Sequence, residues 1–116
     1  MSDCSDEPRR RAARSVEVGR VSALPCARAD KAQALKVVEE AAEVFGAWQA
    51  YERRMRLDAG TGLANSPQAM ELRDALLDEV ADCVTACAGM AAALGVRDLA
   101  DRMRACEKRN RERGRM

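Results

Sequence analysis

Leu72, Leu76, Glu79, Cys83, Ala86, Met90 and Leu94 follow one another at steps of three or four, the spacing that lines up one face of an α-helix. Glu79 stands at the centre of this otherwise apolar stripe. A carboxylate there is disfavoured unless something compensates its charge. Asp82 lies about 60° to one side, near Ala75, Gly89 and Ala93. The stripe predicts a helix that starts at Ser66-Pro67, an N-cap followed by proline at the first helical position, and runs to about Leu94 with Gly95 as its C-cap.

An earlier helix is predicted from about Lys31 to Leu57, with Asp30 as N-cap. Ala34, Leu35, Val37, Val38, Ala41, Ala42, Val44, Phe45 and Trp48 fill an apolar arc of about 180° on it. That is broader than a single neighbouring helix covers. The other side carries Lys36, Glu39, Glu40 and Glu43 and then turns small at Gly46, Ala47 and Ala50. We expect this helix to be enclosed on most sides, with its acids facing an interior gap. Asp58 to Ser66 reads as the connecting loop from its glycines and polar residues.

A third, shorter helix is expected from about Asp98, with Val96, Leu99, Met103 and Cys106 inward and Gly114 at its end. Lys108, Asn110, Arg111 and Arg113 crowd its C-terminus, where cations suit the helix dipole. Residues 1–29 have charged clusters and no sustained period, and read as a flexible arm with a short ordered piece around Val16 to Leu24. Residues 30–116 form the helical domain. The expected fold is all-α: two long helices and a shorter C-terminal helix, a bundle whose wide apolar faces call for completion by oligomerisation, as a homodimer or homotetramer.

Composition narrows the chemistry. The 116 residues contain no histidine, which excludes His-based triads, His-containing zinc sites and the Glu-x-x-His di-iron arrangement. Cys4, Cys26, Cys83, Cys87 and Cys106 show no CxxC spacing, and Cys83 and Cys87 fall on the expected buried side. Reduced, structural cysteines and a cytoplasmic location are expected, with no membrane span. Net charge is +1 overall, but divides as +2 over residues 1–29, −5 over 30–95 and +4 over 96–116. Arg9, Arg10, Arg11 and Arg14 either touch nucleic acid or an acidic surface, or form a solvated tail. Neither basic end is interleaved with aromatics or carries a DNA-reading motif, so a nucleic-acid partner is not expected.

The acids hold the main signal. On their helices Glu40 projects beside Glu43 and Glu79 beside Asp82. If the helices pack, four carboxylates converge, and a hard divalent cation is the natural remedy for their repulsion. Oxygen-only ligands suit Mg²⁺, or Mn²⁺, in an enzyme acting on a phosphate ester or anhydride.

Glu39-Glu40-x-x-Glu43 followed by Glu79-x-x-Asp82 resembles the EExxE…ExxD signature of the MazG-like all-α nucleoside triphosphate pyrophosphohydrolases. Lys31-Ala-Gln-Ala-Leu-Lys36 before it, and the closing stretch Glu107 to Arg115, are similar to the family's basic flank and its Lys-x-Asn-x-x-Arg tail. The resemblance spans about Lys31 to Arg115. It implies Mg²⁺ ligation by Glu40, Glu43, Glu79 and Asp82, and a base or water-orienting role for Glu39 or Glu43. It further implies that Lys36, Lys108, Asn110 and Arg113 bind a nucleoside triphosphate, which is hydrolysed to the monophosphate and pyrophosphate. The interval between Glu43 and Glu79 is longer than in compact members of the family, with residues 60–65 as the insertion. Trp48, with Phe45 and Tyr51, either forms an aromatic wall for the base or packs in a core. The competing expectation is a non-catalytic helical oligomerisation protein whose acids pair with arginines.

Overall fold

The computed structural model describes residues 14–115, and these are all-α, with no strand among them. Helices α1 (Lys31–Gly60) and α2 (Pro67–Ala93) belong to one compact unit, Arg20–Arg97. Helix α3 (Ala100–Glu112) belongs to a second unit that starts at Asp98. The expected two long helices and shorter C-terminal helix are present. Arg9, Arg10, Arg11 and Cys4 lie outside the described residues. Between Val16 and Leu24 there is no helix or strand.

Both N-caps read from sequence form. Asp30 has extended backbone and accepts a hydrogen bond from Gln33 N at 3.0 Å. Ser66 Oγ accepts from Ala69 N at 3.1 Å, with Pro67 opening α2. The boundary of α1 differs: it runs three residues past Leu57, and Asp58 is helical. The reason is the number of groups that converge on Asp58. Its carbonyl accepts from Thr61 N at 3.1 Å, Thr61 Oγ1 at 3.0 Å and Leu63 N at 2.8 Å. Its carboxylate accepts from Ser66 Oγ at 2.5 Å and pairs with Arg54 Nε at 3.0 Å, and the residue is only 1% exposed. One serine hydroxyl therefore both starts α2 and ties it to the end of α1. Asn65, at φ 55°, and Gly62, at φ 77°, take the left-handed conformations that this short connection needs.

The connection turns α2 back antiparallel to α1. On α1 the sheltered positions include Gln33, Val37, Glu40, Val44, Ala47, Tyr51, Arg54 and Asp58, at alternating steps of four and three. On α2 they include Ala69, Leu72, Leu76, Glu79, Cys83, Ala86, Met90 and Ala93, at alternating three and four. This 3.5-residue average is the pattern of two helices meeting along a coiled-coil-like seam. The α2 stripe is the one expected from sequence. Cys87 is exposed, since the seam continues from Cys83 to Ala86.

The larger apolar arc of α1 is not enclosed within the chain. Leu35, Val38, Phe45 and Trp48 are exposed, by 45% to 62%. One neighbour shelters one stripe of a helix, and α2 takes the stripe through Val37, Glu40 and Val44 instead. Among the described residues, Ala69 and Ala86 are the only apolar ones fully buried.

In α3, Leu99 rather than Asp98 holds the cap position, and Asp98 Oδ1 accepts from Ala100 N at 2.8 Å. Val96, Leu99 and Met103 are exposed, contrary to expectation, because this charged helix carries too few apolar residues to build a face. Its surface is tied by Arg104–Asp101 and Arg111–Glu107 ion pairs. Gly114, at φ 73°, follows its end as expected. No helix of the described residues is long and apolar enough to cross a membrane.

Removing the Ser66 hydroxyl breaks the α2 cap and the tie to Asp58 together. Ser66→Ala is expected to lower stability by more than the ~1 kcal/mol of a lost N-cap alone, read as a drop in urea midpoint at unchanged m-value. The Ser66 hydrogen bond, ahead of Arg54, holds the Asp58 carboxyl below its usual range. Its stabilisation is thus fully present above about pH 4 and is lost as pH falls through the lowered value. The acid limb of a stability–pH curve should flatten in Asp58→Asn.

Candidate functional site

Near the middle of the seam the acids meet. Glu40, on α1, is buried at 7% exposure; Glu79 faces it from α2 and is half-buried; Asp82, one turn further along α2, is exposed. Carboxylate oxygens of the three lie within 4.8 Å of one another. They are the described residues whose arrangement can hold a metal ion, and their burial falls from the seam outward, so the group opens to one side.

Their compensation is unequal. Glu40 Oε2 is paired with Lys36 Nζ at 3.0 Å, and the Glu40 hydrogen bond and charge push the Lys36 ammonium pKa up. Glu79 has no such cation. Its Oε1 is the only buried side-chain oxygen or nitrogen, among the described residues, with no hydrogen-bond partner. Burial pushes the Glu79 carboxyl above its ordinary range, and Glu43, Asp82 and Glu40 act in the same direction. Cys83, one turn along the seam, has its thiol pKa raised by burial and then by Cys87, which favours the protonated thiol.

A cleft of about 470 Å³ opens beside Glu40 and Asp82, and Glu79 is not among the residues that line it. Lys36, Glu40, Glu43 and Asp82 line it together with Gln33, Thr85, Ala86 and Gly89, while Leu24 and Ala27 form an apolar wall. The wall comes from the stretch assigned by sequence to the flexible arm. A turn there, closed by Ala27 N donating to Leu24 O at 3.1 Å, leads into Asp30 and the start of α1. Leu24, Ala27, Gln33 and Thr85 carried no sequence signal of a site. The available clue was Gly89, a glycine inside a long helix.

The remaining candidate residues fall elsewhere. Glu39 is exposed and does not line the cleft. Trp48 stacks on Phe45, with ring centroids 5.7 Å apart, on the exposed side of α1, and is not part of the cleft lining. Tyr51 sits in the seam. Lys108, Asn110 and Arg113 are on or just after α3, in the second unit, where Asn110 Nδ2 lies 3.7 Å from Cys106 Sγ. Comparison with protein-family models, curated proteins and solved structures found no match.

The raised Glu79 pKa has a sign that can be checked. The folded chain favours the neutral carboxyl, so the Glu79 contribution is most favourable below the ordinary glutamate value near 4.3 and is lost as pH rises through the elevated value. In chelator-treated protein, Glu79→Gln is expected to raise the melting temperature at neutral pH and to leave it unchanged near pH 4. A thermal melt series across this range compares the two proteins directly.

Proposed function

We propose that the chain is a Mg²⁺-dependent nucleoside triphosphate pyrophosphohydrolase, with Mn²⁺ as a substitute metal. The observation that carries this reading is the unpartnered Glu79 oxygen inside a three-carboxylate group. A buried, uncompensated acid at such a place fits a hard cation, and the donors are all oxygen. The EExxE…ExxD spacing and the cleft beside it, large enough for a small ligand, support the same reading.

Glu40, Glu79 and Asp82 would hold the cation, with Glu43 at the rim of the cleft. When bound, it would supply charge neutralisation at phosphoryl oxygens and a lowered pKa for water. Lys36 presents its ammonium to the same cleft and attracts the polyphosphate chain. Glu43 lines the cleft and is the carboxylate in position to take the proton of an attacking water; Glu39 does not line it. Water oxygen bonds to the α-phosphorus as the bond to the β-bridging oxygen breaks, releasing a nucleoside monophosphate and pyrophosphate. Lys108, Asn110 and Arg113 are assigned to the phosphates by the sequence resemblance alone.

The exposed face of Leu35, Val38, Phe45 and Trp48 supports assembly as a homodimer or homotetramer. That face also supports the second reading, a non-catalytic helical oligomerisation protein. A panel of NTPs and dNTPs with Mg²⁺, assayed for pyrophosphate, separates the two. Turnover is expected for at least one nucleotide, lost on chelation, and reduced by roughly 100-fold or more in Glu79→Gln with helicity unchanged. An oligomer that hydrolyses no nucleotide establishes the second reading.

A further inference from the structure

Of the two polar cleft side chains that the proposed chemistry leaves without a role, Thr85 donates to Ala81 O of its own helix at 2.9 Å, and Gln33 reaches across to α2. It sits on α1 seven residues before Glu40, about 10 Å along the helix axis. Its Nε2 donates to the carbonyl oxygen of Ala86 on α2 at 2.9 Å. Only the amide nitrogen can donate to a carbonyl, so this contact also fixes which end of the carboxamide is oxygen. Opposite it is Gly89, buried near the C-terminal end of α2. A Cβ at Gly89 would stand 2.8 Å from Gln33 Nε2 and 3.4 Å from its Cδ. Glycine inside a helix costs about 1 kcal/mol relative to alanine, so the notch is kept against helix propensity, and what occupies it is the Gln33 amide.

The amide is therefore held at one end by its Nε2, its Oε1 meets no donor among the described residues, and the residue lines the cleft. Beside it the cleft wall is apolar, Leu24 and Ala27. An anchored carboxamide and apolar Leu24 and Ala27 thus line one cleft with Glu40, and the helix rise of about 10 Å between positions 33 and 40 is of the order of the separation of base and phosphates within one nucleotide.

Resting on the hydrolase reading of the acids, we propose that Gln33 is the specificity-determining residue: its Oε1 accepts a hydrogen bond from an N–H on the pairing edge of the substrate's nucleobase, which lies against Leu24 and Ala27. Gly89 is the positioning residue that leaves room for the amide. Discrimination among bases then arises from how each base's donors and acceptors meet one fixed amide.

The test measures binding to the full-length protein by calorimetry with Mg²⁺, using the four ribonucleoside triphosphates as non-hydrolysable α,β-imido analogues and tripolyphosphate as a probe without a base. Wild type, Gln33→Leu and Gly89→Ala are compared; the second variant adds a helix-favouring residue and displaces only the end of a flexible side chain. Both variants are expected to weaken the preferred nucleotide by roughly tenfold and to level the order of bases, while tripolyphosphate binds as in wild type. If nucleotides and tripolyphosphate weaken together, or the wild-type base order survives in both variants, Gln33 does not read the base. A wild-type protein that binds no nucleotide overturns the inference as well. Base-selective binding of the analogues that depends on Gln33, with no pyrophosphate released from the corresponding unmodified triphosphates, upholds the inference and refutes the hydrolase reading. Turnover with a base order unchanged in the variants does the reverse.

Discussion

A carboxylate held between two helices with no cation of its own is the constraint around which this chain is arranged. Helix pairs meet through apolar residues, and a charge in the seam is tolerated only when it is neutralised by protonation or by a partner. Lys36 neutralises Glu40 and leaves Glu79 uncompensated. The seam thus stores a demand for positive charge at one point. Glu43 and Asp82, nearer solvent, increase that demand and line the neighbouring cleft.

Such an arrangement depends on register. A step of one residue along either helix turns its side chains by about 100°, which would carry Glu40 or Glu79 out of the seam. The register is set at the hairpin tip, where Asp58, Arg54 and Ser66 bind the last turn of α1 to the first turn of α2. From that lock the alternating three- and four-residue steps of both helices lead to Glu40 opposite Glu79, and then to Gln33 against Ala86 and Gly89. Asp58 and Glu79 have opposite environments: Asp58 is surrounded by donors, whereas Glu79 is desolvated by burial and faced by other acids. Their pKa values move in opposite directions for that reason.

Much of this was readable in the sequence where a local rule applies. Asp30, Ser66-Pro67 and Gly95 mark helix ends through chemistry that acts over a few residues, and the α2 stripe with Glu79 in it needs only helical periodicity. What periodicity could not decide is which side of α1 faces α2. That helix carries two competing stripes, one through Leu35, Val38, Phe45 and Trp48 and one through Val37, Glu40 and Val44. The choice depends on the partner helix, where Glu79, Cys83 and Ala86 form a surface that accepts the second. Asp58 was misread as a loop residue because its partner Ser66 lies across the turn, and a side chain that bridges a turn leaves no periodic trace. Leu24 and Ala27 reach the site through a tertiary approach, which no spacing encodes. The resemblance of the acidic motifs to a pyrophosphohydrolase family is a reading of sequence.

The claim on which the rest depends is that Glu79 and its neighbours form a cation site. Titration of the chelator-treated, nucleotide-free protein with Mn²⁺, followed by electron paramagnetic resonance of the free ion, addresses it directly. The account predicts saturable binding near neutral pH and its loss in Glu79→Gln. Absence of saturable binding, or binding that Glu79→Gln leaves intact, would contradict it.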